Sequence, residues 1–258
     1  RCLEVDDTAD NFAIDGFTLK GGSTLASGVG VKVTAETSTF SNCVIENCSG
    51  SSVVFAPCCD SRMVNFISCT FRSNGNFDLI NIENGDVTIT DCSFTENDVT
   101  HLVRSRNLSV LSTSISENDF DIALAITASL NLEHVTIFDN TDNGNPTSRV
   151  VGGSGTTSAT NCDITCGAFM ENGGMDCSIS DSTLRYEENA GYSIFLRCNQ
   201  LSLNNSSISS PSSSLPNTLL LSGSGSIQSS TISGGIYGLR NQFSSSNFMI
   251  DDTTFQLS

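Results

Sequence analysis

One eleven-residue stretch recurs along this chain, and its recurrence limits the fold more than any other feature. Val87 to Asn97 reads VTITDCSFTEN, Val64 to Asn74 reads VNFISCTFRSN, Leu108 to Asn118 reads LSVLSTSISEN and Leu130 to Asn140 reads LNLEHVTIFDN. The shared pattern is apolar-x-apolar, two tolerant residues, a small or apolar residue, Ser or Thr, a large apolar residue, and Asn three further on. A unit repeating every 20–50 residues or so cannot bury its apolar face alone, and stacked neighbours bury it as a continuous core.

Aligned on the first apolar position, copies start at Phe12, Val33, Val64, Val87, Leu108, Leu130, Thr157, Cys177, Leu201, Gly225 and Phe248. The steps between these 11 starts run from 20 to 31 residues, with a mean of 23.6 over the 236 residues from first to last. One repeat therefore accounts for nearly the whole chain, and residues 1–258 are expected to form a single domain.

The columns of the alignment carry the geometry. The late apolar column is Leu19, Phe40, Phe71, Phe94, Ile115, Ile137, Ile164, Leu184, Ile208, Ile232 and Phe255, without exception, and it is the expected core ladder. Two residues earlier lies a mixed column that includes Phe17, Ser38, Cys69, Cys92, Thr113, Val135, Cys162 and Ser182. Between them 10 of 11 positions are Ser or Thr, Asp163 being the exception. Residues two apart in a strand share a face, so the first two columns point inward and the Ser/Thr column outward.

Before the mixed column the alternation breaks, and the residue there is Gly16, Thr37, Ser68, Asp91, Ser112, His134, Asn161, Asp181, Asn205, Ser229 or Asp252. Gly, Asn, Asp and His tolerate left-handed backbone angles, which suits a two-residue bend; Thr37 fits least well. Third apolar runs, Asp78–Glu83, Asp121–Ile126, Tyr192–Arg197 and Thr218–Ser222, precede many new copies. Three short strands per turn predict an all-β, single-stranded parallel β-helix (solenoid) of about 11 turns, roughly 48 Å long at about 4.8 Å per turn. Each Phe or Ile in its core contributes roughly 1.5–3 kcal/mol.

IDGFTLKGG at Ile14–Gly22 and the CTF, CSF and STI triplets resemble right-handed parallel β-helices of the pectate-lyase-like superfamily. The quartets Phe71–Asn74 and Phe94–Asn97 are similar to those of polymorphic outer-membrane-protein repeats. The resemblance implies an extracellular β-solenoid, a scaffold used for polysaccharide cleavage and also for adhesion or surface structure.

The formal net charge of −17 makes phosphate-rich nucleic acid and anionic lipid poor partners. No apolar run approaches the roughly 18 residues of a membrane span, so no membrane insertion is expected. The start, RCLEVDDTAD, reads as trimmed rather than as a leader. Eleven cysteines without tandem CxxC pairs favour disulfides and an oxidising, extracellular or cell-surface location. Cys43, Cys48, Cys58 and Cys59 fall in an insert between the second and third copies and are the expected bridge formers, whereas Cys69 and Cys92 share an inward column and read as buried thiols. Asn47, Asn107, Asn204 and Asn205 begin N-glycosylation sequons, so covalent glycans are expected.

Catalytic candidates are sparse. The pair Asp251–Asp252 sits at a bend, and neither His101 nor His134 is near it in sequence. Arg104, Arg106, Arg149, Arg185, Arg197 and Arg240 show no acidic partners in adjacent copies, and no two carboxylates line up on successive turns as glycoside hydrolysis requires. Asp139–Asn145 (DNTDNGN) lacks a closing Glu, because Val150 stands there, and together with Asp6, Asp7 and Asp10 it reads as polar turn rather than calcium loop. No metal or other cofactor is expected. The expected function is a non-catalytic structural or adhesive β-helix, glycosylated, that stacks end to end into a filament or continues into a longer chain. The alternatives are a polysaccharide lyase or hydrolase and a glycan-binding module using the Ser/Thr face.

Overall fold

The computed structural model describes residues 2–5, 10–23, 27–56, 62–141, 149–170, 176–186, 194–210, 217–221, 223–234, 237–241 and 247–256. They form a parallel β-solenoid. Each coil contributes a first strand, a short second strand and a third strand, and each pairs in register with its counterparts one coil before and after. The second strands form an 11-stranded sheet running from Thr18–Lys20 to Thr254–Gln256. First and third strands make up a 19-stranded sheet, because in mid-chain a third strand runs on into the next first strand, as in Gly75–Thr90, Asp98–Leu111 and Asp119–Glu133.

The core is a set of stacked like residues. The second-strand ladder is Leu19, Ile45, Phe71, Phe94, Ile115, Ile137, Ile164, Leu184, Ile208, Ile232 and Phe255. Phe71 and Phe94 stack with centroids 4.6 Å apart and planes 3° from parallel, which in-register parallel pairing makes natural. Phe255 keeps the register but is 40% exposed on the last described coil, so it extends the ladder without being buried in it.

Two corners explain the rest of the repeat. At the first, Gly16, Asn42, Ser68, Asp91, Ser112, His134, Asn161, Asp181, Asn205, Ser229 and Asp252 all have positive φ. From Cys43 to Ser230 the next residue is buried, whereas Phe17, expected to point inward, is 57% exposed on its coil, and in several coils the backbone N–H of that residue is met by a small side chain of the following coil. Cys69 N–H donates to Cys92 Sγ (3.3 Å), Cys92 N–H to Thr113 Oγ1 (3.3 Å), Cys162 N–H to Ser182 Oγ (3.1 Å) and Ser206 N–H to Ser230 Oγ (3.1 Å). The mixed column is thus a row of small acceptors for buried donors that would otherwise be left unpaired.

At the second corner Asn47, Ser73, Glu96, Glu117 and Asp139 have positive φ and are followed by Cys48, Asn74, Asn97, Asn118 and Asn140. Asn74, Asn97, Asn118 and Asn140 are each 1% exposed. The Nδ2 groups of Asn74, Asn97 and Asn118 donate to the next Oδ1 at 2.9, 2.8 and 3.0 Å, and also to the backbone oxygens of Ile45, Phe71 and Phe94. Every Asn in the pattern is a rung of one buried amide ladder.

The second copy departs from the sequence reading. Ser38 and Phe40, not Val33, align with Phe12 and Ile14, so Phe40 belongs to the first-strand column and Ile45 takes its place in the second. Val33 lies in a third strand, paired with Val5. The bend is Asn42 (φ 51°) rather than Thr37, which removes the awkward Thr. The same shift moves Cys43 from the surface insert into the inward column, in the row of Cys69 and Cys92.

Candidate functional site

A groove of about 660 Å³ runs along the outer face of the first strands. Its geometry follows from strand alternation. On one side stand Ser129, Thr156, Asp176 and Gln200, in register, and Ser224 and Asn247 continue the row. On the other stand Asn131, Ser158, Ser178, Ser202 and Ser226. Between them the residues point inward, so backbone forms the floor; Leu130, Thr157, Cys177 and Leu201 there are all buried. The groove crosses six coils, roughly 24 Å at the inter-strand spacing.

Its chemistry is uniform. Hydroxyl and amide groups line it, and Asp176 is the one charged side chain among the described lining residues. Ser158 Oγ donates to Asn131 Oδ1 (2.7 Å), and Asn199 Nδ2 donates to Asp176 Oδ1 (3.3 Å). Thr157 Oγ1 is buried and has no hydrogen-bond partner among the described residues. Beneath the middle of the floor Cys177 is joined to Cys198, which fixes the approach to Asn199 and Gln200 against the preceding coil. The sequence signal for the groove was the Ser-rich alternation of Gln200–Asn204 and its neighbours, a feature easily taken for ordinary solvent-facing strand.

A second polar site lies on the third strands, and the sequence reading missed it. Asp78, 2% exposed, accepts from Asn81 Nδ2 (2.7 Å) and shares a 2.7 Å hydrogen bond with His101 Nδ1. Arg104 extends toward Asp78 (3.5 Å) and pairs with Glu83. Register brings these residues together, because Asp78 aligns with His101 and Asn81 with Arg104. The expectation that arginines lack acidic partners in adjacent copies is therefore corrected: Arg104, Arg149 and Arg185 pair with Glu83, Asp121 and Asp163, each one coil away. So is the expectation that no carboxylates align, since Asp98 faces Asp119 in register.

The remaining sequence candidates are scattered. Asp252 is a bend residue with φ 44°, as its place in the repeat implies. His134 is likewise a bend residue, remote from the His101 cluster. Asn47 and Asn204 are exposed. Asn107 is engaged on both sides, donating to Asp86 Oδ1 (2.7 Å) and accepting from Ser129 Oγ (2.7 Å), and Asn205 Nδ2 donates to Asp181 Oδ1 (2.6 Å). Cys43 keeps a free, buried thiol, so it does not bridge to Cys48; Cys48 is also buried. Burial pushes the Cys43 and Cys162 thiols up, and Cys92, which shares a hydrogen bond with Cys69 out of water, is pushed up further. Cys58, Cys59, Asp6, Asp7 and residues 142–145 lie outside the described residues.

A family model described as "Right handed beta helix region" matches residues 3–164. No curated protein and no solved structure gives a significant match.

Proposed function

Because this chain belongs to the right-handed β-helix family, we propose that it is a non-catalytic, extracellular adhesive solenoid that holds an extended neutral glycan in its axial groove. The observation that carries this reading is the groove itself: six coils of hydroxyl and amide side chains along one line, with a single carboxylate. Such walls exchange hydrogen bonds with sugar hydroxyls, and the chain's net charge of −17 disfavours an acidic polymer. Glycosidic hydrolysis uses two carboxylates at fixed separation, and Asp176 has no second carboxylate among the described groove residues.

Secretion is supported by the Cys177–Cys198 bridge and by the exposed sequon residues Asn47 and Asn204, the two proposed glycan carriers. Exposed Met249, Ile250 and Phe255 on the last described coil suit the stacking of a further coil, from a second copy or from the same chain, in a filament-like arrangement.

A panel of linear neutral and acidic polysaccharides tests the binding reading. Neutral polymers should bind, Ser202→Tyr should weaken binding at least about tenfold by filling the groove, and no new reducing ends should appear. Absence of neutral-glycan binding, or binding indifferent to Ser202→Tyr and Ser178→Tyr, would overturn it. Release of reducing ends would instead select the alternative, a polysaccharide-cleaving enzyme.

A further inference from the structure

Another recess, of about 390 Å³, lies on the third strands beside the Asp78–His101–Arg104 cluster. Along one outward column the side chains shrink from Arg104 onward, through Ala125 to Gly152, one coil at a time. The step down from Arg104 creates the recess. Arg104 and its ion-pair partner Glu83 make one polar wall, Ala125 and Gly152 the floor, and Ile122 and Ile126 an apolar flank. Arg104 is held in place because its guanidinium also reaches Asp78, itself fixed by Asn81 and His101.

Ser105 borders the recess from behind: it stands in the inward row of Ile82 and Ile126, both 1% exposed, so its own buried hydroxyl faces the core and the polar groups offered to the recess are those of Arg104 and Glu83.

We propose that this recess binds one neutral sugar ring presenting a vicinal diol. A guanidinium that donates and a carboxylate that accepts, side by side, complement a pair of hydroxyls that accept and donate. The ring's apolar face packs on Ile122 and Ala125. A few fixed polar groups on an apolar floor is the usual composition of a small-molecule site. Arg104 and Glu83 already neutralise each other, so a uronate or an aminosugar ammonium would have to break that pair, and a neutral ring is selected. The site is separate from the groove on the first strands and does not depend on it.

The test is ligand-observed NMR on the full chain with methyl glycosides of the neutral hexoses, a methyl uronate glycoside and a methyl aminosugar glycoside. At least one neutral glycoside should bind in the millimolar range. Gly152→Val should weaken it at least tenfold; its added carbon meets mainly the mobile end of Ile122, 2.9 Å away, so the fold has room to adjust. Glu83→Gln, which weakens the acceptor offered to the diol at an exposed position, should weaken it about three- to tenfold without lowering the melting temperature. Ser202→Tyr, which fills the groove, should leave it unaffected, so failure at one site is distinguishable from failure at the other. No binding by any neutral glycoside, binding indifferent to Gly152→Val, or preference for the charged glycosides would overturn the proposal.

Discussion

The two stretches of the solenoid solve one problem with different chemistry. From residue 48 to residue 140 the second corner is closed by the buried asparagine ladder, the third strands run on into the next coil, and stacked Phe rings fill much of the core. From residue 156 to residue 234 the strands are five residues or shorter, the second-strand ladder is Ile and Leu while aromatic residues (Phe169, Tyr186, Phe195) stand elsewhere in the core, and the polar ladder is a row of serine hydroxyls at the first corner. An amide has an acceptor and two donors, so each Asn satisfies the neighbours on both sides and its own corner at once. A hydroxyl there meets one N–H and one carbonyl. The first region is tied along its axis more tightly; the second leaves its outer face as a plain Ser-rich surface, and most of the groove lies there, starting from Ser129–Asn131 at the end of the first.

That contrast can be broken at several points. The largest effect should come from a charge in the column common to both regions. Ile115 is 1% exposed between Phe94 and Ile137, and Ile115→Asp should cost more than about 4 kcal/mol, read as loss of the cooperative melt. A wild-type melt would undo the ladder. Next, Asn97→Leu strips the acceptor from Asn74 and leaves Phe71 O and Asn118 Oδ1 short of a donor, for an expected loss of about 2–4 kcal/mol in urea unfolding.

Ser206→Ala removes one acceptor, that of the Ser182 N–H, and should cost about 1 kcal/mol. If the Asn and Ser variants lost the same amount, the distinction between the two regions would collapse. The smallest effect is at the surface of the early coils. Lys20 and Arg72 hold the Glu46 carboxyl below its usual value of 4.5. A depressed folded pKa stabilises above the unfolded value and stops doing so as pH falls through the folded one. Glu46→Gln should therefore be slightly less stable than wild type at pH 7 and indistinguishable from it at pH 2.

Much of this was readable in the sequence. The apolar column from Phe71 to Ile232 and ten of the eleven bend residues were visible because period-two alternation and left-handed tolerance are local properties. Copy two was misplaced because VKVTAETSTF alternates in either register, and only the corner decides; Thr37 at a left-handed position was the warning. The Asp78–His101–Arg104–Glu83 cluster was invisible for a different reason. Its members are 3 to 26 residues apart in sequence and meet only once coils of unequal length are set in register. The groove was hidden in plain composition, since a Ser-rich strand looks alike whether it faces bulk water or a ligand.

The direction of the polar ladders has a bearing on how such a rod is made. At both corners the donor N–H belongs to one coil and the side chain that receives it to the coil that follows in sequence. A coil emerging from the ribosome or a secretion channel is therefore incomplete until its successor arrives, and each arrival seals the one before. Folding from the amino end is then expected to close these corners in order, each one when the coil after it arrives.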